Sequence, residues 1–388
     1  MAKKILFSQL NWSIVQFSVD LVDLLIKEGY EVTVIVTESS ISPYADIYST
    51  QAEVIVLNRG CKSWYRYFRY FWKFFSRLAI LADPIDPFLK YSFSSYIKKR
   101  KFDSVILVEN ESLIAFERSP YKSNISKTFY HSLELYVEDH DLFPKHKRMI
   151  LEGRKVLKSM DNIIIQDDDR YLELCKRSVG ISANFIPYPV GCRPLSVPNS
   201  RHIARDFLKS IGIKSSKKII LSVGNISKAR CLDEIVKLAR NLPDDYVVLL
   251  HGHVLGRISL ANLPENIYLS RSVLTDIELF SIISLSTIGL SFYRTDNVNE
   301  SLTAFSSHRI ALYLRSGLPI ISFKTSSYEK LFERYKCGIC IQEIHDSISA
   351  ILEINSQFSK YSEQAILAYE GIYNSENSVL NITNALQE

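Results

Sequence analysis

The chain has 388 residues, 47% hydrophobic and 23% charged, with a formal net charge of +5. At roughly 150 residues per domain this is material for two large globular domains, and it excludes a disordered chain, a collagen or a small disulfide scaffold. The mild positive charge falls short of a dedicated nucleic-acid surface, so no nucleic-acid partner is expected.

In the first half, short apolar strands alternate with helices. Residues 4–7 read as a strand, 15–27 as a helix ended by Gly29, and 31–37 and 51–57 as β-rich strands. An aromatic segment, 62–82, stops at Asp83-Pro84, because proline disfavours helix in the residue before it. Strands follow over 102–108, 127–131 and 162–166, with a helix over 145–159. Prolines 189, 194 and 198 mark a linker. The alternation then restarts with strands at 218–223, 246–251, 266–269, 287–292, 318–323 and 338–342. Helices are expected over 232–239 and 307–316, the latter closed by Gly317, and the tail from 344 reads as helical. Continuous apolar strands alternating with helices predict parallel sheets covered on both faces. The expected architecture is α/β: two doubly wound, Rossmann-like domains facing a cleft. Residues 1–193 form the first, 194–360 the second, and a helical tail, 361–388, packs back on the first. Ligands are expected beyond the carboxyl ends of the strands.

No window offers ~18 uninterrupted apolar residues, so no membrane-spanning helix is expected. The apolar run after Met1-Ala2-Lys3-Lys4 is too short for a signal peptide, which predicts a cytoplasmic protein with reduced thiols. Of six cysteines only Cys337 and Cys340 have metal-like spacing. They lack a second ligand pair and read as part of a buried strand.

Residues 221–226 (Leu-Ser-Val-Gly-Asn-Ile), 229–235 (Ala-Arg-Cys-Leu-Asp-Glu-Ile), 242–245 and 249–252 follow one another in a telling order. They resemble the opening of the donor domain of GT-B glycosyltransferases. Residues 307–321 resemble the helix–turn–strand that carries the nucleotide site in that fold. Tyr130-His131-Ser132-Leu133-Glu134-Leu135-Tyr136, and 163–167 leading to Arg170, resemble phrases of bacterial family-4-like members. The chain departs from them at one place. Where family-4 enzymes carry two Glu seven residues apart, it has Ala304 and Leu312, and Glu300 lies four residues too early to be the first. The resemblance implies a divergent enzyme of hexosyltransferase type. It would move a sugar from a nucleoside diphosphate sugar to a lipid-linked or glycan acceptor in surface polysaccharide biosynthesis, by a retaining or an inverting route. Two rival readings stand beside it: a non-catalytic scaffold or membrane-associated binding protein on the same fold, and a sugar-nucleotide epimerase.

Such a transfer must neutralise a departing diphosphate, by Arg or Lys charges or by amides at a helix N-terminus. Gly224 lets the backbone approach closely, and Lys228 and Arg230 stand before the next helix; the resemblance favours Arg230, although on spacing alone either cation is equally a solvated loop charge. Ser306 and Ser307 fit an N-cap, and His308 and Arg309 then occupy the first turn, where cations oppose the macrodipole unless an anion binds. Tyr293 follows a strand end, and Val273 lies where family members hold the base through backbone atoms. For an inverting enzyme Glu111 or His131 is the candidate general base. Asp167-Asp168-Asp169 reads as a helix cap. No cofactor and no essential metal are expected. Lys62, Arg66, Arg69, Lys73 and Arg77 recur at helical intervals beside Trp72 and eight further rings. A basic stripe next to aromatic surface suits the interface of an anionic bilayer, giving an expected peripheral location at the inner face of the cell membrane.

Overall fold

A computed structural model describes residues 2–10, 16–37, 52–57, 85–136, 144–197, 201–255 and 263–388. The aromatic segment 62–82, with Arg66, Arg69, Trp72 and Lys73, lies outside the described residues. The chain divides into two units, Met1–Tyr188 with Ser378–Glu388, and Pro189–Asn377. The division thus falls before Pro189 rather than after residue 193, and residues 361–377 belong to the second unit.

The first unit holds strands β1 (Lys4–Gln9), β2 (Glu31–Thr37), β3 (Glu53–Leu57), β4 (Ser104–Val108), β5 (Lys127–His131), β6 (Asn162–Ile165) and β7 (Asn184–Pro187). They form one parallel sheet in the order β3-β2-β1-β4-β5-β6-β7. Every residue of β4 is buried, as a strand covered on both faces must be. The helices Gln16–Lys27, Pro87–Lys98, Glu109–Glu117, Pro144–Val156 and Asp168–Arg177 connect the strands. Gly29, at φ +91°, ends the first of them in the left-handed region that glycine enters without strain. Asp167 caps the last, its Oδ1 accepting the Arg170 N–H at 2.9 Å. The end of the chain is bonded into this unit. Lys3 Nζ donates to the Leu386 carbonyl at 2.8 Å, Lys127 Nζ to that of Ala385 at 2.5 Å, and Asn381 Nδ2 to that of Pro187 at 3.1 Å.

The second unit holds β8 (Lys218–Val223), β9 (Tyr246–His251), β10 (Ile267–Ser270), β11 (Ile288–Leu290), β12 (Ile320–Phe323) and β13 (Gly338–Ile341), parallel and ordered β10-β9-β8-β11-β12-β13. Successive residues point to opposite faces. Leu221 and Leu249 therefore join one hydrophobic cluster with Tyr313 and Leu331, while Ile220 and Val248 join another with Ile235 and Ile351. The strand order reverses between β8 and β11, which is where doubly wound sheets open a crevice. Cys340 lies in β13 and Cys337 directly precedes it; Cys337 is fully buried, and burial pushes its thiol up to about 12. Among the described residues no group of three or more His, Cys, Asp or Glu could hold a metal ion, and no helix is long and apolar enough to cross a membrane.

Candidate functional site

Beyond β8 the chain turns at Gly224, φ +111°, whose N–H bonds the His251 carbonyl at 2.9 Å. Beyond β9 it turns again at Gly252, φ +142°, where a Cβ would run into the Gly224 carbonyl. Two glycines are thus required for the loops after neighbouring strands to lie against each other. A single 3-10 turn, Lys228–Arg230, then leads through Cys231 into the helix Leu232–Arg240.

Across the switch point, β11 runs out at Leu290 and the chain continues to Tyr293. The Tyr293 ring carries two guanidinium groups, Arg230 at 5.0 Å and Arg309 at 5.3 Å from its centroid, a favourable cation–π geometry. Its hydroxyl bonds Ser307 Oγ at 2.7 Å. Ser307 is the N-cap residue of the helix His308–Arg315, yet its side chain makes no cap bond. With that hydroxyl committed to Tyr293, the His308 and Arg309 N–H groups have no side-chain acceptor among the described residues, while the Ile310 N–H bonds the Ser307 carbonyl at 3.0 Å. Arg309 projects back under the Gly224 loop, its Nη2 3.2 Å from where a Cβ on Gly224 would stand. Arg230 is neutralised by Glu300, at 3.2 Å. Arg309 has no ion pair among the described residues. Its Nη1 reaches the Leu290 carbonyl only at 3.5 Å, and its buried Nε has no hydrogen-bond partner. An unpaired guanidinium beside the first amides of a helix with no side-chain cap is an arrangement that could receive an anion. A cavity of about 710 Å³ lies on the same edge, lined by both signs of charge, Lys228, Arg294 and Lys324 with Asp233, Glu234 and Asp296, and by Tyr293.

Of the residues singled out in the sequence, Gly224, Arg230, Tyr293, Ser307 and Arg309 come together, with Lys228 on the adjoining cavity wall. Three do not join them. Ser306 turns its hydroxyl to the Leu302 carbonyl at 3.2 Å. The Val273 side chain is 94% exposed and makes no part of this cluster; the expectation there concerned backbone atoms. The His308 imidazole is pushed down to about 4, by burial and then by the Arg315 cation, and so stands uncharged near the Arg315–Asp276 pair rather than beside Tyr293. Ala304 and Leu312, which stand where family-4 enzymes carry the Glu pair, are both buried, in the same hydrophobic cluster.

In the first unit the expected base His131 is corrected by its surroundings. It ends β5 fully buried, 5.9 Å between ring centroids from both Phe17 and Tyr188, with neither ring nitrogen hydrogen-bonded. Burial pushes it down to about 3, so it is a neutral core ring with little proton affinity. Glu111, the other candidate, stands partly buried in the first turn of the helix Glu109–Glu117. The more unusual carboxyl is two residues earlier. Glu109 is fully buried with φ +62°, and its Oε1 accepts the N–H groups of Leu133 at 2.6 Å and Glu134 at 2.9 Å. Burial raises it to about 8 against those two bonds. Gln166 Nε2 donates to the Ser132 carbonyl at 2.7 Å and Arg170 Nη2 to that of Leu133 at 3.3 Å. Three side chains thus pin the loop after β5: Glu109 beyond β4, Gln166 beyond β6, and Arg170 in the helix that follows β6. Nothing in the sequence marks Glu109 above Glu111, since a left-handed, buried Glu has no local signature.

Residues 241–370 match a family model described as glucosyltransferase 3-like, C-terminal domain. A comparison with curated protein sequences returns no match. Among solved structures, sucrose-phosphate synthase from Thermosynechococcus elongatus superposes with a TM-score of 0.70 at 12% identity, over 99% of this chain and 98% of that one. Anabaena HepE, in complex with UDP and glucose, gives 0.69 at 11% identity over 99% of each chain. S. aureus TarM, in complex with fondaparinux, α-GlcNAc-glycerol and UDP, gives 0.65 at 11% identity over 100% of each. The chain therefore has the GT-B fold of glycosyltransferases, and its second unit contains the stretch that matches a glucosyltransferase 3-like C-terminal domain.

Proposed function

We propose that the protein is a glycosyltransferase that takes a hexosyl group from a nucleoside diphosphate sugar and passes it to a lipid-linked or other glycan acceptor, in the assembly of a surface polysaccharide. The observation that carries this reading is Arg309: a guanidinium with no ion pair among the described residues, placed under the Gly224 turn and at the start of a helix without a side-chain cap. When the bond from the sugar carbon to the diphosphate oxygen breaks, the electron pair leaves with the diphosphate. Arg309, Arg230 and the first amides of the helix His308–Arg315 are arranged to stabilise that charge. With two guanidiniums available no essential metal is proposed. The acceptor would be bound by the first unit, and Glu111 is the carboxylate left there to accept its proton. HepE with UDP and glucose supports the donor class, as does the glucosyltransferase 3-like match. The lipid-linked acceptor and an attachment to the cytoplasmic face of an anionic membrane rest on the basic, aromatic stripe over residues 62–77.

The direct experiment is a donor screen that reads released nucleoside diphosphate with UDP- and GDP-linked hexoses, run with lipid and glycan acceptors. One donor should give acceptor-dependent release. If nucleotides bind but none is turned over, the missing Glu pair favours a binding role on this fold. If no nucleotide binds, the reading is wrong.

A further inference from the structure

Arg230 and Arg309 flank the same tyrosine ring but are not equivalent. Arg309 carries an unbalanced charge, whereas Arg230 Nη1 lies 3.2 Å from Glu300 Oε1, with the two side chains 33% and 21% exposed. The other oxygen, Glu300 Oε2, accepts the Arg294 N–H at 3.2 Å. Arg294 spends its own guanidinium on Asp296 at 2.6 Å, so it supplies Glu300 with a backbone donor rather than a second cation. The Glu300 main chain is fixed independently of these bonds. It sits in the short turn Val298–Ser301 capped by Asn297, and its carbonyl accepts Thr303 Oγ1 at 2.8 Å. The carboxylate can therefore leave Arg230 by rotating its side chain, with the backbone in place.

We infer that Glu300 is the resting counter-ion of Arg230 and is exchanged for the diphosphate of the donor. The inference rests on the nucleotide-sugar reading above and deepens it. Without a ligand, two guanidiniums on one ring would repel each other in a partly dehydrated pocket, and Glu300 removes one of the two charges. A diphosphate held by Arg309 and the helix amides brings its own negative charge within reach of Arg230. Glu300 and the diphosphate then compete for one guanidinium, and like-charge repulsion favours departure of the carboxylate. Glu300 thus lowers donor affinity and eases release of the nucleoside diphosphate product; it is a tuning residue, not a catalytic one.

The test is a double-mutant cycle on the full chain with UDP as the probe, read by isothermal titration in dilute salt. Glu300→Gln should tighten UDP binding ~3- to 5-fold, the upper end of what a partly exposed ion pair is worth. In an Arg230→Gln background the same change should alter affinity by less than about twofold, because the pair no longer exists. Glu300→Ala removes the same charge and should behave alike, should the glutamine variant fold poorly. Unchanged or weaker UDP binding in the Glu300 variants overturns the inference. So does equal tightening in both backgrounds, which would make Glu300 only a diffuse negative field. A wild-type chain that binds neither UDP nor GDP instead removes the nucleotide-sugar reading on which the exchange depends.

Discussion

Replacing Glu109 with Gln should stabilise the protein at alkaline pH and leave it nearly unchanged in mild acid. The carboxyl is fully buried; burial raises it from 4.5 to about 8, opposed by the N–H bonds from Glu134 and Leu133. Below pH 4.5 both the folded and the unfolded chain hold this proton, and the group contributes no pH dependence. Between 4.5 and about 8 the unfolded chain releases a proton that the folded chain retains, so stability falls as pH rises; above that range the loss is complete. At ~1.4 kcal/mol per tenfold the full loss is on the order of 5 kcal/mol. A glutamine keeps a carbonyl oxygen for the two N–H groups and never ionises, so the variant avoids the fall. Urea denaturation of both proteins at pH 5 and at pH 8 measures this. The variant should match the wild type at pH 5 and exceed it at pH 8 by a few kcal/mol. A variant that is no more stable at pH 8 than the wild type would show that Glu109 is already ionised there, and the burial argument would fail.

Other expectations follow from single contacts. Because β11 stops at Leu290, the N–H of Val223 has no strand partner on that side and donates to the Tyr313 hydroxyl at 2.9 Å, which in turn donates to the Leu221 carbonyl at 3.2 Å. Tyr313→Phe orphans a buried N–H and should cost about 1–3 kcal/mol in denaturant melts; a loss within error would mean that water takes the place of the hydroxyl. The His131 ring should remain neutral from pH 8 down to about 4, since burial holds it near 3; an NMR titration with a midpoint near 6.5 would contradict its burial. Reversing Arg66, Arg69 and Lys73 to Glu should abolish co-sedimentation with vesicles rich in anionic lipid, and retention of binding would remove the stripe from the proposal.

The parts of the fold that local chemistry determines were legible. Gly29 and Gly317 read as helix stops in the sequence, and both have positive φ, +91° and +67°. The β-branched run Glu31–Thr37 and the strands Lys218–Val223 and Tyr246–His251 have the bounds expected of them. Elements that depend on tertiary contact were not. The edge strand Asn184–Pro187 is half-exposed and ends in proline, so no apolar run announces it. The helix Pro87–Lys98 follows a proline-broken stretch that masks its start. In the site, cations in the first turn of a helix already implied an anion for Arg309. The Arg230–Glu300 pair joins residues far apart in the chain, and the enclosure of Glu109 and His131 depends on how the strand ends pack, which no spacing rule conveys.

The central claim, that Arg309 grips the diphosphate of a nucleotide donor, is tested most directly by titrating UDP into the wild-type chain and into Arg309→Met, which retains much of the side chain's bulk without its charge. Removal of one partner from a buried charge contact costs about 2–5 kcal/mol, so the variant should bind UDP at least ~30-fold more weakly while melting at the wild-type temperature. UDP binding of equal strength in the two proteins would place the diphosphate elsewhere and contradict the account.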